Sequence, residues 1–421
     1  MTDERQVHTA YEEARKRYEE LGVDTEEAMR KLDGIRLSMH CWQGDDVHGF
    51  INPEVDLADG LTVSGNYPGR ARTPDELTDD LHEAMGIIPG KKNVALHTIY
   101  AVTDRKKDLD EIGPEDFKYW VDWAKKENVG LDMNGTFFSH PMVKNNLTLA
   151  SPEKEVRDFW IEVGRQSRRI ANYFGSELGQ QSVNNFWIPD GCKDNPIDKL
   201  SPRQRLIESL DSILEEEFPE SNTIEAYEGK LFGTGIESYT VGSHEFYANY
   251  ALTRGKLWTI DAGHFHPTED VSDKFSAFLA FGKGLQLHVS RPVRWDSDHV
   301  VIMDDALARI TRSLVRDDLL DRTNVGLDFF DATINRIAAW VIGARTTQKA
   351  FLQALLTPVE DLKHAEEKYD FTKRLAVTEE LKSYPFGAVF DEYCLRNNVP
   401  VGTDWLNEVC RYEKNVQLKR N

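Results

Sequence analysis

The chain holds four cysteines in 421 residues, Cys41, Cys192, Cys394 and Cys410, and no two are close enough to form a C-x-x-C pair. A thiolate zinc site and a disulfide framework are both excluded on that count. No apolar run is long enough to span a bilayer, and the amino-terminal stretch MTDERQVHTAYEEARKRYEE carries charge where a secretory segment needs an apolar core. Basic residues are scarce. Lys and Arg number 51 against 72 Asp and Glu, a formal net charge of −21. A surface this acidic repels phosphate backbones and anionic lipid, so neither nucleic acid nor membrane is expected as a partner. A reducing cytoplasm is the expected location. There is also no Gly-rich phosphate turn after the first apolar run, where LSMHCWQGDD stands instead, which argues against a doubly wound dinucleotide fold.

What is present is a regular alternation. Short β-rich runs recur at 36–42, 92–100, 129–136, 181–189, 223–230, 256–264, 285–290 and 324–331. Charge-rich helical patterns lie between them, among them 115–128, 151–175, 201–218 and 304–315. Ser151-Pro152 and Ser201-Pro202 read as an N-cap followed by proline at the first helical position. Eight strand–helix repeats predict a parallel (β/α)₈ TIM barrel. A helical segment precedes the barrel at 1–35. The barrel occupies 36–340, and a helical extension at 341–421 is expected to serve oligomerisation. With 40% hydrophobic residues, the chain has enough apolar side chains for a packed core.

In such barrels the chemistry gathers at the carboxyl ends of the strands. The ends carry His40, Trp42, Asp45 and Asp46; His97; Asp132, Asn134 and later His140; Trp187 and Asp190; Glu228 and Lys230; Asp261 and His264; His288; and Asp328 to Asp331. A lone histidine at a strand end is more often a hydrogen-bonded core residue than a ligand, and Asp331 reads as a helix cap. Acids and imidazoles at four successive strand ends, all facing one way, are costly without a cation. His and carboxylate without thiolate favour Mn²⁺, Mg²⁺, Co²⁺ or Zn²⁺. Asp296-Ser-Asp298 alone reads as a solvated turn, but on an extended loop its two carboxylates share a side and suit a hard divalent ion. Lys230 shares strand parity with Glu228, which sets an ammonium beside such an ion, where it can stabilise charge developing on a substrate oxygen. Trp42, Trp187, Trp295, Phe329 and Phe330 cluster near the same ends, as rings that meet sugar C–H faces do, or as rim packing. In DAGHFHPTED (261–270) strand parity does not choose between His264 and His266.

Several blocks carry a resemblance: SMHCWQGDD (38–46), GNYPG (65–69), FSHP (138–141), WIPDG (187–191), KLFGTGIESYTVGSHEFY (230–247), DAGHFHPTE (261–269), LHVSRPVRWDSDHVV (287–301) and GLDFFDATINRIAAWVIG (326–343). Through them the chain resembles the bacterial L-rhamnose isomerases essentially end to end. The resemblance implies a metal-dependent aldose–ketose isomerase, related in site layout to xylose isomerase and usually a homotetramer. It implies that Glu228, Asp261, His288 and Asp328 hold a structural divalent ion, Mn²⁺ or Zn²⁺. It implies that Asp261, His264, Asp296 and Asp298 hold a catalytic Mn²⁺, with Asp261 bridging and His266 a supporting histidine. His97, Trp187 and Phe330 are expected to line the sugar pocket, and Lys230, Asp296 and Asp328 to take catalytic roles. The expected reaction converts L-rhamnose to L-rhamnulose, by a 1,2-hydride shift or by an ene-diol route. Two other classes fit parts of the pattern: a two-metal hydrolase, which the acidic surface opposes, and a non-catalytic sugar binder, which Lys230 opposes.

Overall fold

A computed structural model of the chain describes residues 3–51 and 63–420. Eight parallel strands close into a barrel: β1 Leu37–His40, β2 Lys92–His97, β3 Gly130–Asn134, β4 Ser182–Trp187, β5 Thr223–Glu228, β6 Leu257–Asp261, β7 Gly284–Val289 and β8 Thr323–Leu327. Each strand neighbours the next in sequence, and β1 closes the ring against β8 with Leu37 opposite Val325. Six fall within the β-rich runs of the sequence, and β7 and β8 begin one residue before theirs. A two-stranded antiparallel ribbon, Gly191–Cys192 with Tyr239–Thr240, is added at the rim.

Side chains alternate along each strand. On β4, β5 and β6 the set that includes Asn185, Glu228 and Asp261 points into the bore, and Val183, Ile224, Ala226 and Leu257 on that parity form a small separate apolar cluster. The opposite parity, including Phe186, Tyr227, Trp258 and Ile260, joins the large core between strands and helices. At the amino-terminal floor of the barrel Asp132 is buried but satisfied. It accepts from Ser38 Oγ at 2.7 Å, Asn93 Nδ2 at 3.0 Å and the Val183 amide at 2.9 Å. Asp132 is therefore a satisfied structural carboxylate of the floor.

Two of the expected helix starts differ. The helix at 154–178 begins three residues after Ser151, whose hydroxyl instead accepts from the Glu153 amide. The helix Leu200–Ile213 already contains Ser201 and Pro202, and Asp198 takes the amides of Leu200 and Ser201. A proline within the first turn is compatible with either start, because those amides lack intrahelical partners anyway. Thr73-Pro74 is a true instance of the pattern: the Thr73 hydroxyl accepts from the Glu76 amide at 3.2 Å.

The amino-terminal segment is two helices, Glu4–Glu19 and Thr25–Gly34. After β8 the helix Arg336–Leu355 runs without a break across residue 340. The helices Val359–Glu367, Phe371–Leu381, Phe386–Arg396 and Trp405–Asn415 follow. The two ends of the chain are tied together: Arg396 makes a forked pair with Glu26 at 2.6 and 2.9 Å. Arg420 closes a second fork on Asp80, both contacts 2.7 Å, with Asp80 fully buried. Among the described residues no helix is long and apolar enough to cross a membrane.

Candidate metal centre

The carboxyl ends of β5 to β8 and the loop after β7 bring two groups of ligand atoms together. Glu228, Asp261, His288 and Asp328 form one, and Asp261, His264 and Asp296 the other, with the atoms of each within 4.8 Å of one another. Asp261 belongs to both. Glu228, Asp261 and Asp328 stand at or just beyond their strand ends, and His288 lies one residue before the end of β7. His288 Nδ1 is 3.3 Å from Glu228 Oε2 and 3.3 Å from Asp328 Oδ2. His264 Nδ1 lies 3.2 Å from the Gly229 carbonyl, and Nε2 lies 3.4 Å from Asp296 Oδ2. A proton on Nδ1 donated to that carbonyl leaves Nε2 as the coordinating nitrogen.

The turn after β6 explains how Asp261 and His264 come together. The Gly263 amide donates to Asp261 Oδ1 at 2.6 Å. A Cβ on Gly263 would stand 2.7 Å from Ser290 Oγ and 2.8 Å from Asp296 Oδ1, so a larger residue here would push those two side chains out of place. His264 is buried by this turn, whereas His266 is exposed and bonds Thr268 Oγ1 at 2.7 Å within its own loop. It supports its own turn and touches no group of the centre.

The electrostatics are those of a site short of positive charge. Burial pushes the Asp261 carboxyl well above its ordinary range, and Asp328 and Glu228 beside it push it further. Asp298 is raised in the same direction by burial and then by Asp296. Burial works against ionised His288 and Asp328, yet the charge of Glu228 and then the contact with Asp328 outweigh it for His288, and the contact with His288 outweighs it for Asp328. The His288 pKa is raised and that of Asp328 lowered. Lys230 likewise keeps its charge despite burial, because Asp296 and Asp298 face it, with Nζ 2.6 Å from Asp296 Oδ2. One ammonium thus serves five carboxylates. Glu228 Oε1, Asp296 Oδ1 and His288 Nδ1 are buried without a hydrogen-bond partner. Orphaned donor atoms of oxygen and imidazole type, converging within one ion's reach, fit a pair of hard or borderline divalent cations.

Beside the centre lies a cavity lined by Trp42, Val47, His97, Asn134, Phe138, Asn185, Trp187, Lys230, Asp298 and Phe330. The expected pocket residues His97, Trp187 and Phe330 are all in its wall. Burial lowers the His97 pKa to about 4, so its imidazole is neutral near pH 7. Asp298 lines the cavity but belongs to neither ligand group; its backbone is left-handed at φ 47°, and its carbonyl accepts from the Phe330 amide at 3.2 Å. The remaining candidates lie elsewhere. His140 pairs with Asp108 at 2.8 Å, Asp331 holds the Thr333 amide and hydroxyl, Phe329 packs against His40, and Trp295 is 50% exposed.

Sequence reading missed Asn185 and Ser290, and the part Trp42 plays, in holding the ligands in place. Asn185 Nδ2 donates to Glu228 Oε2 at 2.6 Å, and its Oδ1 accepts from Thr259 at 2.7 Å. Ser290 Oγ donates to Asp261 Oδ1 at 2.6 Å, and Trp42 Nε1 donates to Asp328 Oδ1 at 3.0 Å. Strand parity could have flagged Asn185, which shares a face with Trp187.

Similarity to known proteins runs the length of the chain. The family model described as L-rhamnose isomerase (RhaA) matches residues 5–420. An L-rhamnose isomerase of Lactiplantibacillus plantarum is 74% identical over 420 residues, covering 100% of this chain and 98% of that protein. One from Listeria innocua is 61% identical and covers 100% of both chains. Among solved structures, a D-tagatose 3-epimerase-like protein shares 12% identity at a TM-score of 0.49, covering 78% of this chain and 99% of that one. The chain belongs to the L-rhamnose isomerase family, and it is an isomerase of that family.

Proposed function

We propose that the protein interconverts L-rhamnose and L-rhamnulose at the β5–β8 centre, with two divalent ions and by a 1,2-hydride shift. The observation that carries this reading is the shared Asp261: two ligand groups meet at one carboxylate beside a buried ammonium and a ring-lined cavity. Glu228, Asp261, His288 and Asp328 would hold a structural ion, Mn²⁺ or Zn²⁺. Asp261, His264, Asp296 and Asp298 would hold the catalytic one, Mn²⁺. Such ions supply Lewis acidity and a template for the oxygens on C1 and C2 of an open-chain aldose.

The chain's own groups do the rest. Asp296 or Asp298 orients a water that takes the proton from O2. Hydride moves from C2 to C1, and the Lys230 ammonium stabilises the charge that develops on O1, which then regains the proton. Trp187 and Phe330 offer rings to the sugar's C–H faces, and neutral His97 offers a hydrogen bond to a hydroxyl. Asp328, held ionised by His288, is the carboxylate suited to the rival ene-diol route. We further assign the extension at 341–421 to assembly of a homotetramer around the 36–340 barrel, with 1–35 packed against it, in a cytoplasmic enzyme.

The deciding experiment strips the protein of metal and reconstitutes it ion by ion. Each form is assayed on L-rhamnose, L-mannose, L-lyxose and D-allose, and on a phosphoester panel. Mn²⁺-dependent ketose formation with L-rhamnose preferred is expected. Phosphoester cleavage without aldose turnover would replace the reading with a hydrolase.

A further inference from the structure

Just past β1 the chain makes a turn at 45–49. Asp46 and Val47 both take left-handed backbone, at φ 58° and 62°, and Gly49 follows at 65°. For a β-branched residue such as Val47 that conformation is rare, and it persists only where the surroundings hold it. Val47 is 3% exposed and lines the cavity beside the metal centre, together with Trp42, His97 and Phe330. A strained backbone therefore sets part of the wall of the proposed sugar pocket.

Two sets of contacts fasten this turn. On the β2 side Asp45 accepts from the Gly49 amide at 2.7 Å and from Tyr100 Oη at 2.6 Å. On the β8 side Arg336 grips Asp46 itself. Its Nε donates to Oδ1 at 2.8 Å and its Nη2 to Oδ2 at 2.7 Å, a parallel fork that fixes the carboxylate in both position and plane. Its Nη1 donates to the Tyr67 carbonyl at 2.7 Å, and the side chain is 2% exposed. The needs of its own helix do not explain this arginine. It is the first residue of the helix Arg336–Leu355, where the helix dipole disfavours a cation. Asn335 already caps that helix through the Ala338 amide at 3.1 Å. Arg336 also belongs to neither ligand group. What its fork does hold is the left-handed residue next to Val47.

We infer that Arg336 is a positioning residue for the proposed isomerisation, on which this inference rests: its fork on Asp46 keeps the 45–49 turn left-handed, and so fixes the cavity wall at Val47 against which the sugar binds. The test variant is Arg336→Met combined with Asp46→Asn, which removes the fork without stranding either charge. In the Mn²⁺-loaded enzyme its KM for L-rhamnose should rise about fivefold or more, while kcat and the Mn²⁺ activation midpoint move less than about twofold. In a Val47→Gly background the same two substitutions should move KM by less than about twofold, because glycine takes left-handed backbone without strain. Hydrogen exchange read by mass spectrometry gives a measurement independent of turnover. Peptides covering 45–49 should exchange about tenfold faster without the fork, and peptides from β4 to β6 should not change. Arg336→Lys keeps the charge but not the planar fork, so it should fall between, and it decides the matter if the double variant fails to fold. A wild-type KM in these variants, an equal KM rise in the Val47→Gly background, or unaltered exchange at 45–49 overturns the inference. A wild-type enzyme that does not turn over L-rhamnose would instead overturn the proposed reaction, and exchange would still decide whether the fork holds the turn.

Discussion

Replacing Asn185 with alanine removes one hydrogen bond from the metal centre without touching any proposed ligand. Asn185 is buried at 3% exposure, and its amide donates to Glu228 Oε2 at 2.6 Å. His264 Nδ1 lies 3.1 Å from the other carboxylate oxygen, Oε1, and His288 Nδ1 3.3 Å from Oε2. Among the described residues Asn185 thus makes the shortest polar contact that orients the carboxylate, and of these three it is the one that is not itself a proposed ligand. A hydrogen bond to a charged group contributes about 1.5–3 kcal/mol. At about 1.4 kcal/mol per tenfold in an equilibrium constant, the loss corresponds to roughly 10–100-fold in metal affinity. The assay strips the variant, titrates Mn²⁺ back and reads the midpoint of activation on L-rhamnose. The midpoint should rise by that factor, while the rate at saturating Mn²⁺ should stay within a few-fold of wild type. Thr259 also loses its acceptor, so some thermal destabilisation is expected as well. An unchanged midpoint in a variant that folds would refute the reasoning, because Glu228 would then be oriented without Asn185 or would bind no metal. Ser290→Ala, which frees Asp261 Oδ1 from a 2.6 Å bond, offers an independent check on the shared carboxylate.

Other outcomes follow from the same geometry. His264→Asn and Asp296→Asn should each abolish isomerisation beyond rescue by added Mn²⁺, and chelator should silence the wild type; near-normal rates in both variants would remove the proposed catalytic ion. Turnover in D₂O should leave little deuterium on carbon, since hydride carries its own nucleus; substantial incorporation would favour the ene-diol route. Arg420→Ala should destabilise the fold by about 3–5 kcal/mol in denaturant melts, because it strands the buried Asp80 carboxylate. Burial holds the pKa values of His40, His97 and His244 down at about 4. The unfolded chain therefore takes up protons as pH falls from about 6.5 while the folded chain resists. Stability should be intact above about 6.5 and drop between there and 4, and the drop should be shallower in His244→Gln. A stability profile flat over that window would count against neutral buried imidazoles.

The sequence by itself determined the eight strands, their parallel order and the face on which the chemistry lies. Each strand is a short apolar run bounded by charged helix, and a right-handed β/α repeat has few other ways to bury such runs. Parity along β5 and β6 also set Glu228 and Asp261 on the inner face, and the Ala262-Gly263 turn explains why His264 can join them. The helix starts near Ser151 and Ser201 were misread because a cap is decided by which side chain reaches the free amides: Ser151 binds the Glu153 amide ahead of the helix, and Asp198 takes the amides of Leu200 and Ser201. The tertiary structure alone brought Asn185 to Glu228, 43 residues on, and Ser290 to Asp261, because strand register rather than sequence spacing makes them neighbours. It also left Asp298 outside the ligand group that Asp296 joins, although both carboxylates face Lys230. The left-handed residues Arg294 and Asp298, at φ 70° and 47°, break the extended geometry that parity assumes. The ligand types were therefore legible in the chain, but their distances depend on side chains contributed by loops and strands that meet only when the barrel closes.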